Sequence, residues 1–186
     1  ADAKGVVLFE AIITPYLPQF AFMREYLAKI GSVRYAESNF SSRSSRYDDF
    51  LKGIWSTTFD PACLGGALND MNVYNLHLLM ALLGTPTACE YRPTLAENGI
   101  DTSGLALLQY EGFTAAAFAA KDSRGENGCM LQGTGGYLKV EGGNNALPVV
   151  YCMEGDPKGA FVRTDCPAPG RFRMAYEFAE FARIVA

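Results

Sequence analysis

The stretch Gly65-Gly66-Ala67-Leu68-Asn69-Asp70-Met71-Asn72-Val73-Tyr74-Asn75-Leu76-His77-Leu78-Leu79-Met80-Ala81-Leu82-Leu83-Gly84 reads as one helix. Leu76, Leu79, Met80 and Leu83 recur at i, i+3, i+4 and i+7, an apolar stripe at helical spacing. Gly84 and then Thr85-Pro86 supply the stop: a glycine past the last turn, followed by a proline that cannot continue it. Asp70, Tyr74 and His77 fall at i, i+4 and i+7. At about 100° per residue they share a stripe of roughly 60°. A carboxylate, a phenol and the single histidine of the chain are thus expected to look the same way from a largely apolar helix. Gly65 and Gly66 leave room at its start for another backbone or a ligand. The pattern alone leaves two readings open. The three polar groups are paired by neighbouring strands, as buried polar groups usually are, or they face a substrate.

Upstream, residues 5–13 carry Val6, Val7, Leu8, Phe9, Ile12 and Ile13, apolar on both faces as in a buried parallel strand. Pro18 suits the first position of a helix whose stripe is Phe20, Met23, Tyr26, Leu27 and Ile30, closed by Gly31. Residues 32–42 alternate as a strand does, with one face wet or turned to a pocket. Residues 41–55 are polar and read as a loop of the kind that often carries function. Arg43 and Arg46 in it are candidates for binding a hydroxyl-rich or anionic group, against the plainer reading of a solvated surface. Trp55 and Phe59 pack that loop down or wall a pocket.

Downstream come strands at 88–95, 104–110 and 113–120, the last two joined by the tight turn Glu111-Gly112. Cys129 to Gln132 and Tyr137 to Glu141 form a hairpin across Gly133-Thr134-Gly135-Gly136. That turn is no dinucleotide loop: the third fingerprint glycine would fall at Leu138, and the segment joins strands instead of opening a helix. Residues 149–152 and 160–163 read as short edge strands. Met174, Phe178, Phe181, Ala182 and Val185 mark a last amphipathic helix. The sum is an α+β fold: a mostly antiparallel open sheet with helices packed on one face. Leu105 and Leu107 alternate with Ala106 and Leu108, and Phe118 with Ala117 and Ala119, so both faces of the central hairpin are apolar. Helices cover one face only, and the other needs a cover of its own. A homo-oligomer built through the open face is the expectation.

A chain of 186 residues can bury one good core. Hydrophobic residues make up 49% and charged residues 19%, which fits an ordered globular domain. A net charge of −4 leaves no basic surplus for a nucleic-acid partner. No apolar run reaches the length of a membrane span, and the first residues show no signal-peptide pattern. Cys63, Cys89, Cys129, Cys152 and Cys166 include no C-x-x-C pair, which argues against a metal site and for free thiols in a reducing cytoplasm.

Gly65-Gly66-Ala67-Leu68, Asp70 and Val73-Tyr74 together resemble the signature helix of the Gfo/Idh/MocA oxidoreductases. The resemblance extends along the chain. Val6-Val7-Leu8-Phe9-Glu10-Ala11 is similar to the family's crossover strand. Ile30-Gly31-Ser32-Val33-Arg34 is similar to the opening of its second domain, and Gln132 to Val140 to its late glycine hairpin. In that family a Rossmann domain binds NAD or NADP, and a second α+β domain supplies the substrate pocket and the oligomer contact. The resemblance implies that Asp70 orients substrate and that Tyr74 stands at the catalytic His or Tyr position, with His77 added from helical spacing. The family's dinucleotide fingerprint and its Glu-Lys-Pro belong to the first domain and are absent from these residues. The expected division is therefore 1–15 as the remnant of a nucleotide-binding domain and 16–186 as a substrate-binding and oligomerisation domain, inactive by itself.

What the resemblance implies for chemistry is hydride transfer between the cofactor and a hydroxyl or carbonyl carbon of a sugar, inositol or dihydrodiol. A free phenol titrates near about 10, so a phenolic base needs a neighbouring ammonium. In the family that ammonium is the lysine of Glu-Lys-Pro. Two alternatives stand beside this reading: a non-catalytic sugar-sensing regulator or binding protein of the same fold, and a dimerisation module without a ligand.

Overall fold

The computed structural model describes residues 4–156, 158–167, 170 and 172–185. Alternating side chains fold into β1 (Val33–Ser41), β2 (Ala88–Leu95), β3 (Asp101–Tyr110), β4 (Phe113–Ala120), β5 (Gly128–Gly133), β6 (Gly136–Glu141), β7 (Val149–Glu154) and β8 (Val162–Asp165). They form one sheet in the order β2-β3-β4-β1-β5-β6-β7-β8. The β1–β4 pair is parallel; the other pairs are antiparallel. The β3–β4 hairpin closes at Tyr110 opposite Phe113, and Gly112 takes the left-handed φ of +84° that this turn requires.

The helices are α1 (Pro18–Leu27), α2 (Tyr47–Leu51), α3 (Val73–Leu83) and α4 (Met174–Val185). Leu17, Phe20, Met23 and Ile30 join Leu78 and Leu79 of α3 over the inward row Ala36, Ala106, Leu108, Ala115, Ala117, Leu131, Leu138 and Val140. The fold is thus the expected α+β arrangement, with a mostly antiparallel open sheet.

Small residues on β4 let α3 come close enough for side chains to reach strand carbonyls. Asn72 Nδ2 donates to the Ala117 carbonyl at 3.0 Å, and Asn75 Nδ2 to that of Phe118 at 2.8 Å. Ser38 Oγ and Asn144 Nδ2 donate to Asn75 Oδ1 at 2.9 and 2.7 Å. The fully buried residues of α3 are therefore Asn75, Leu78 and Leu79, with Leu76, Leu82 and Leu83 packed half-buried beside them. The buried face is broader than the expected stripe of Leu76, Leu79, Met80 and Leu83 and is led by an asparagine. Met80 is exposed. In a segment where nearly every residue is apolar, leucine spacing does not single out a face, and the strand carbonyls recruited the asparagines.

Other expectations need correction. Residues 5–13 form no strand and pair with no sheet among the described residues; Leu8 is 85% exposed. The expected helix tail at residues 1–5 falls mostly outside the described residues. The polar stretch 41–55 is not all loop, since α2 lies within it. β7 is an interior strand flanked by β6 and β8, so residues 149–152 do not form an edge. On α4 the expected apolar face, Met174, Phe178 and Val185, is exposed, and Glu177 is buried. Phe181 of α4 stacks on Phe9 with ring centroids 4.1 Å apart. Among the described residues no helix is long and apolar enough to cross a membrane.

Candidate functional site

The central helix is capped from a strand. Leu68 N donates to Asp101 Oδ2 at 2.7 Å, and the Tyr91 hydroxyl donates to the same oxygen at 2.5 Å. Burial first, and then the Asp101 carboxylate, push the Tyr91 hydroxyl well above the usual phenol range. A Cβ on Gly66, whose φ is +98°, would lie 1.8 Å from Asp101 Oδ1, and one on Gly65 would lie 2.7 Å from the Thr57 carbonyl oxygen. The glycine pair thus admits a backbone and a capping carboxylate to the helix start.

Leu68–Asn72 forms a π-helical turn ahead of α3. Such a turn holds more residues than an α-turn, so the 100° rule does not carry from Asp70 to Tyr74. Among the described residues no hydrogen bond or ion pair joins Asp70, Tyr74 and His77; each meets a different neighbour. Asp70 Oδ2 accepts from Lys121 Nζ at 2.6 Å. The Tyr74 ring meets Phe40 edge-on, centroids 5.7 Å apart, and its hydroxyl bonds to none of the described residues. His77 Nε2 lies 3.3 Å from Glu10 Oε1, in the unpaired segment 5–13.

Lys121 was not legible as a site residue. It follows β4 and continues the inward row Ala115, Ala117, Ala119. That period-2 continuation was the available signal: a lysine placed on the core side must be paired. Its Nζ also donates to the Thr58 carbonyl at 2.8 Å and lies 4.7 Å from the centroid of the Phe59 ring.

Trp55, Phe50, Ile54, Asp60, Asn98 and Asp122 help line a cleft of about 920 Å³ between α2 and the end of β2. Trp55 is 68% exposed, and its Nε1 donates to Asp60 Oδ2 at 2.7 Å, so the indole is held while a face stays open. Asp70, Tyr74 and His77 do not line this cleft, nor do Arg43 and Arg46. Arg43 forms a two-pronged pair with Asp48 at 2.5 and 3.1 Å. The guanidinium holds the Asp48 carboxyl below its usual range. Arg46 is exposed. Among the described residues no three His, Cys, Asp or Glu side chains converge as a metal site. Burial pushes the Cys129 thiol up to about 12. The turn at Gly133–Gly136 joins β5 to β6, so it offers no helix start for a dinucleotide phosphate.

A sheet of this order, covered on one face and fronted by a helix that carries Asp70 and Tyr74, belongs to a definite class. The chain is a member of the GFO/IDH/MocA family: the family model described as the GFO/IDH/MocA C-terminal domain matches residues 20–139. It is similar to scyllo-inositol 2-dehydrogenase (NADP(+)) IolU of Bacillus subtilis (strain 168), 34% identical over 76% of this chain and 43% of that protein. It is also similar to the uncharacterized oxidoreductase YgjR of Escherichia coli (strain K12), 32% identical over 100% of this chain and 55% of that one. Among solved structures it resembles KijD10, a 3-ketoreductase from Actinomadura kijaniata in complex with NADP and TDP-benzene. That match has a TM-score of 0.78 and 20% identity over 100% of this chain and 56% of that chain. The chain spans about half the length of the curated relatives it matches.

Proposed function

We propose that this chain is the substrate-binding part of an NAD(P)-dependent oxidoreductase acting on a small polyhydroxylated compound: a sugar, an inositol or a dihydrodiol. Residues 1–15 are the end of a preceding nucleotide-binding domain, and 16–186 are the substrate-binding and oligomerisation domain. The observation that carries the reading is the central helix of a family member, on which Tyr74 keeps a hydroxyl bonded to none of the described residues, near a half-exposed Asp70. When bound, the nicotinamide takes or gives the hydride. Tyr74 exchanges the proton of the reacting hydroxyl. Asp70 accepts a hydrogen bond from a neighbouring substrate hydroxyl, and His77, in contact with Glu10, shapes the pocket wall next to segment 5–13. Trp55 offers an apolar platform in the separate cleft beside α2. Arg43, paired with Asp48, and the exposed Arg46 lie outside the lining of that cleft, as weaker candidates for substrate contact. Free cysteines, two of them exposed, suit a reducing cytoplasm. A non-catalytic sensor draws no support from relatives that are named as a dehydrogenase and an oxidoreductase.

The test is an assay of the whole protein made from its native gene. NAD⁺ and NADP⁺ reduction is followed with a panel of inositols, sugars and trans-dihydrodiols. Turnover of at least one is expected. No turnover with either dinucleotide across the panel would overturn the reading.

The oligomer belongs to the same proposal. Leu105, Ala116 and Phe118, 38% exposed, line a concavity of about 460 Å³ on the helix-free face of the sheet, together with Tyr35 and Met130. A second copy covers this face. Phe118→Glu places a carboxylate where it must be desolvated against that copy. The expected result is a fall in molar mass by light scattering, with the fold intact by circular dichroism. A mass equal to that of the unaltered protein sinks the interface.

A further inference from the structure

Lys121 is 2% exposed. Taking an ammonium out of water is far more costly than burying an apolar side chain of similar length. A methionine at this position would fill the same space beside Phe59 and the alanines of β4. Packing alone therefore does not call for a charge here.

The contacts are unequal in what they need. The Thr58 carbonyl accepts from Nζ at 2.8 Å, and the face of Phe59 receives the charge at 4.7 Å. Asp70 accepts at 2.6 Å, and its side chain is 48% exposed. Asp70 has water for its solvation and does not depend on Lys121. Lys121, cut off from water, depends on Asp70. A half-exposed carboxylate on a short side chain samples several rotamers. A buried ammonium at hydrogen-bond distance holds it in one. Oδ2 is occupied, and Oδ1 bonds to none of the described residues. Asp70 sits within the π-helical turn Leu68–Asn72, a feature common at functional sites.

We propose that Lys121 is a positioning residue that fixes the Asp70 carboxylate so that Oδ1 is presented to a substrate hydroxyl. This rests on the role given to Asp70 above. Lys121 touches neither substrate nor cofactor; it acts through Asp70 from beneath the helix.

The test uses the whole protein and the variants K121M, K121Q, D70N and D70N/K121M. K121Q keeps a polar but uncharged end one bond short of the place of Nζ, and serves if the methionine variant does not fold. The first readout is the crystal structure of K121M or K121Q, where the Asp70 carboxylate is expected to leave its present place. The second is steady-state kinetics. Either Lys121 variant is expected to lower kcat by on the order of tenfold to a hundredfold, the scale of an ångström-sized misplacement. The KM for the dinucleotide stays unchanged. D70N/K121M is expected to match D70N within about twofold, because the lysine acts only through the aspartate. A purely structural lysine would instead add its loss to that of D70N. An unmoved Asp70 overturns the proposal whatever the kinetics show. Losses that multiply overturn it too. A displaced Asp70 with full turnover removes Asp70 from the reaction, and the proposal falls with that role. If the unaltered protein turns over no polyol, the functional reading fails, and the crystal structures still decide whether Lys121 holds Asp70.

Discussion

Tyr74→Phe in the whole protein is expected to lower kcat by about a hundredfold or more, the usual scale for loss of a general acid/base. The substitution removes one oxygen. The ring keeps its edge-on contact with Phe40, and no hydrogen bond to a described residue is lost, so folding and thermal stability stay as they were. The loss therefore lies in the transition state, at about 2.7 kcal/mol for a hundredfold. Dinucleotide affinity, measured by fluorescence titration, is expected not to change. Steady-state kinetics with the best polyol checks the claim, and an unchanged kcat would strike Tyr74 from the mechanism. Asp70→Asn is a less clean substitution, because it also strips Lys121 of its counter-charge.

Gly66→Ala is expected to be strongly destabilising. Its φ of +98° lies where side chains are strained, and the new Cβ would sit 1.8 Å from Asp101 Oδ1. Asp101 must then withdraw, and Leu68 N and the Tyr91 hydroxyl lose their acceptor. Backbone strain of roughly 1–3 kcal/mol adds to a lost cap of about 1 kcal/mol. The clash and the unpaired Tyr91 bring the total to about 3 kcal/mol or more. For a chain of this size that lowers Tm by about 6–12 °C. Calorimetry checks it, and a Tm within about 2 °C of the original means that the helix start tolerates a side chain. Asp101→Asn is the milder companion, since it keeps an acceptor oxygen in place.

The strands were legible because each carries its own alternation; Tyr35, Glu37 and Asn39 needed only a period of two to fall on one face of β1. The hairpins were legible from Gly112 and from Gly133–Gly136. The face of the central helix was not. Its inward stripe begins with Asn75, and only the distant carbonyl of Phe118 explains why a polar residue leads it. The geometry of the site was hidden for the same reason. Helical spacing grouped Asp70 with Tyr74 and His77, but partners far along the chain, Lys121, Phe40 and Glu10, decide where each side chain goes. Periodicity reports on neighbours in sequence. It carries no information about an ammonium that arrives from the far end of a strand.

The parallel pairing of β1 with β4 has a kinetic side. β2-β3-β4 and β5-β6-β7-β8 are each runs of antiparallel neighbours joined locally, and either can zip up from its own turns. β1 is the seam between them, and it is made earlier in the chain than any other strand. Its parallel partner lies beyond α2, α3, β2 and β3, so a long loop must close before that contact repays the lost chain entropy. The two halves can therefore form first, with β1 and the α3 asparagines locking them together late. The buried polar knot of Ser38, Asn75 and Asn144 sits at that seam, and its hydrogen bonds tie β1, α3 and the β6–β7 connection together in this register, with Asn144 Oδ1 left without a partner among the described residues.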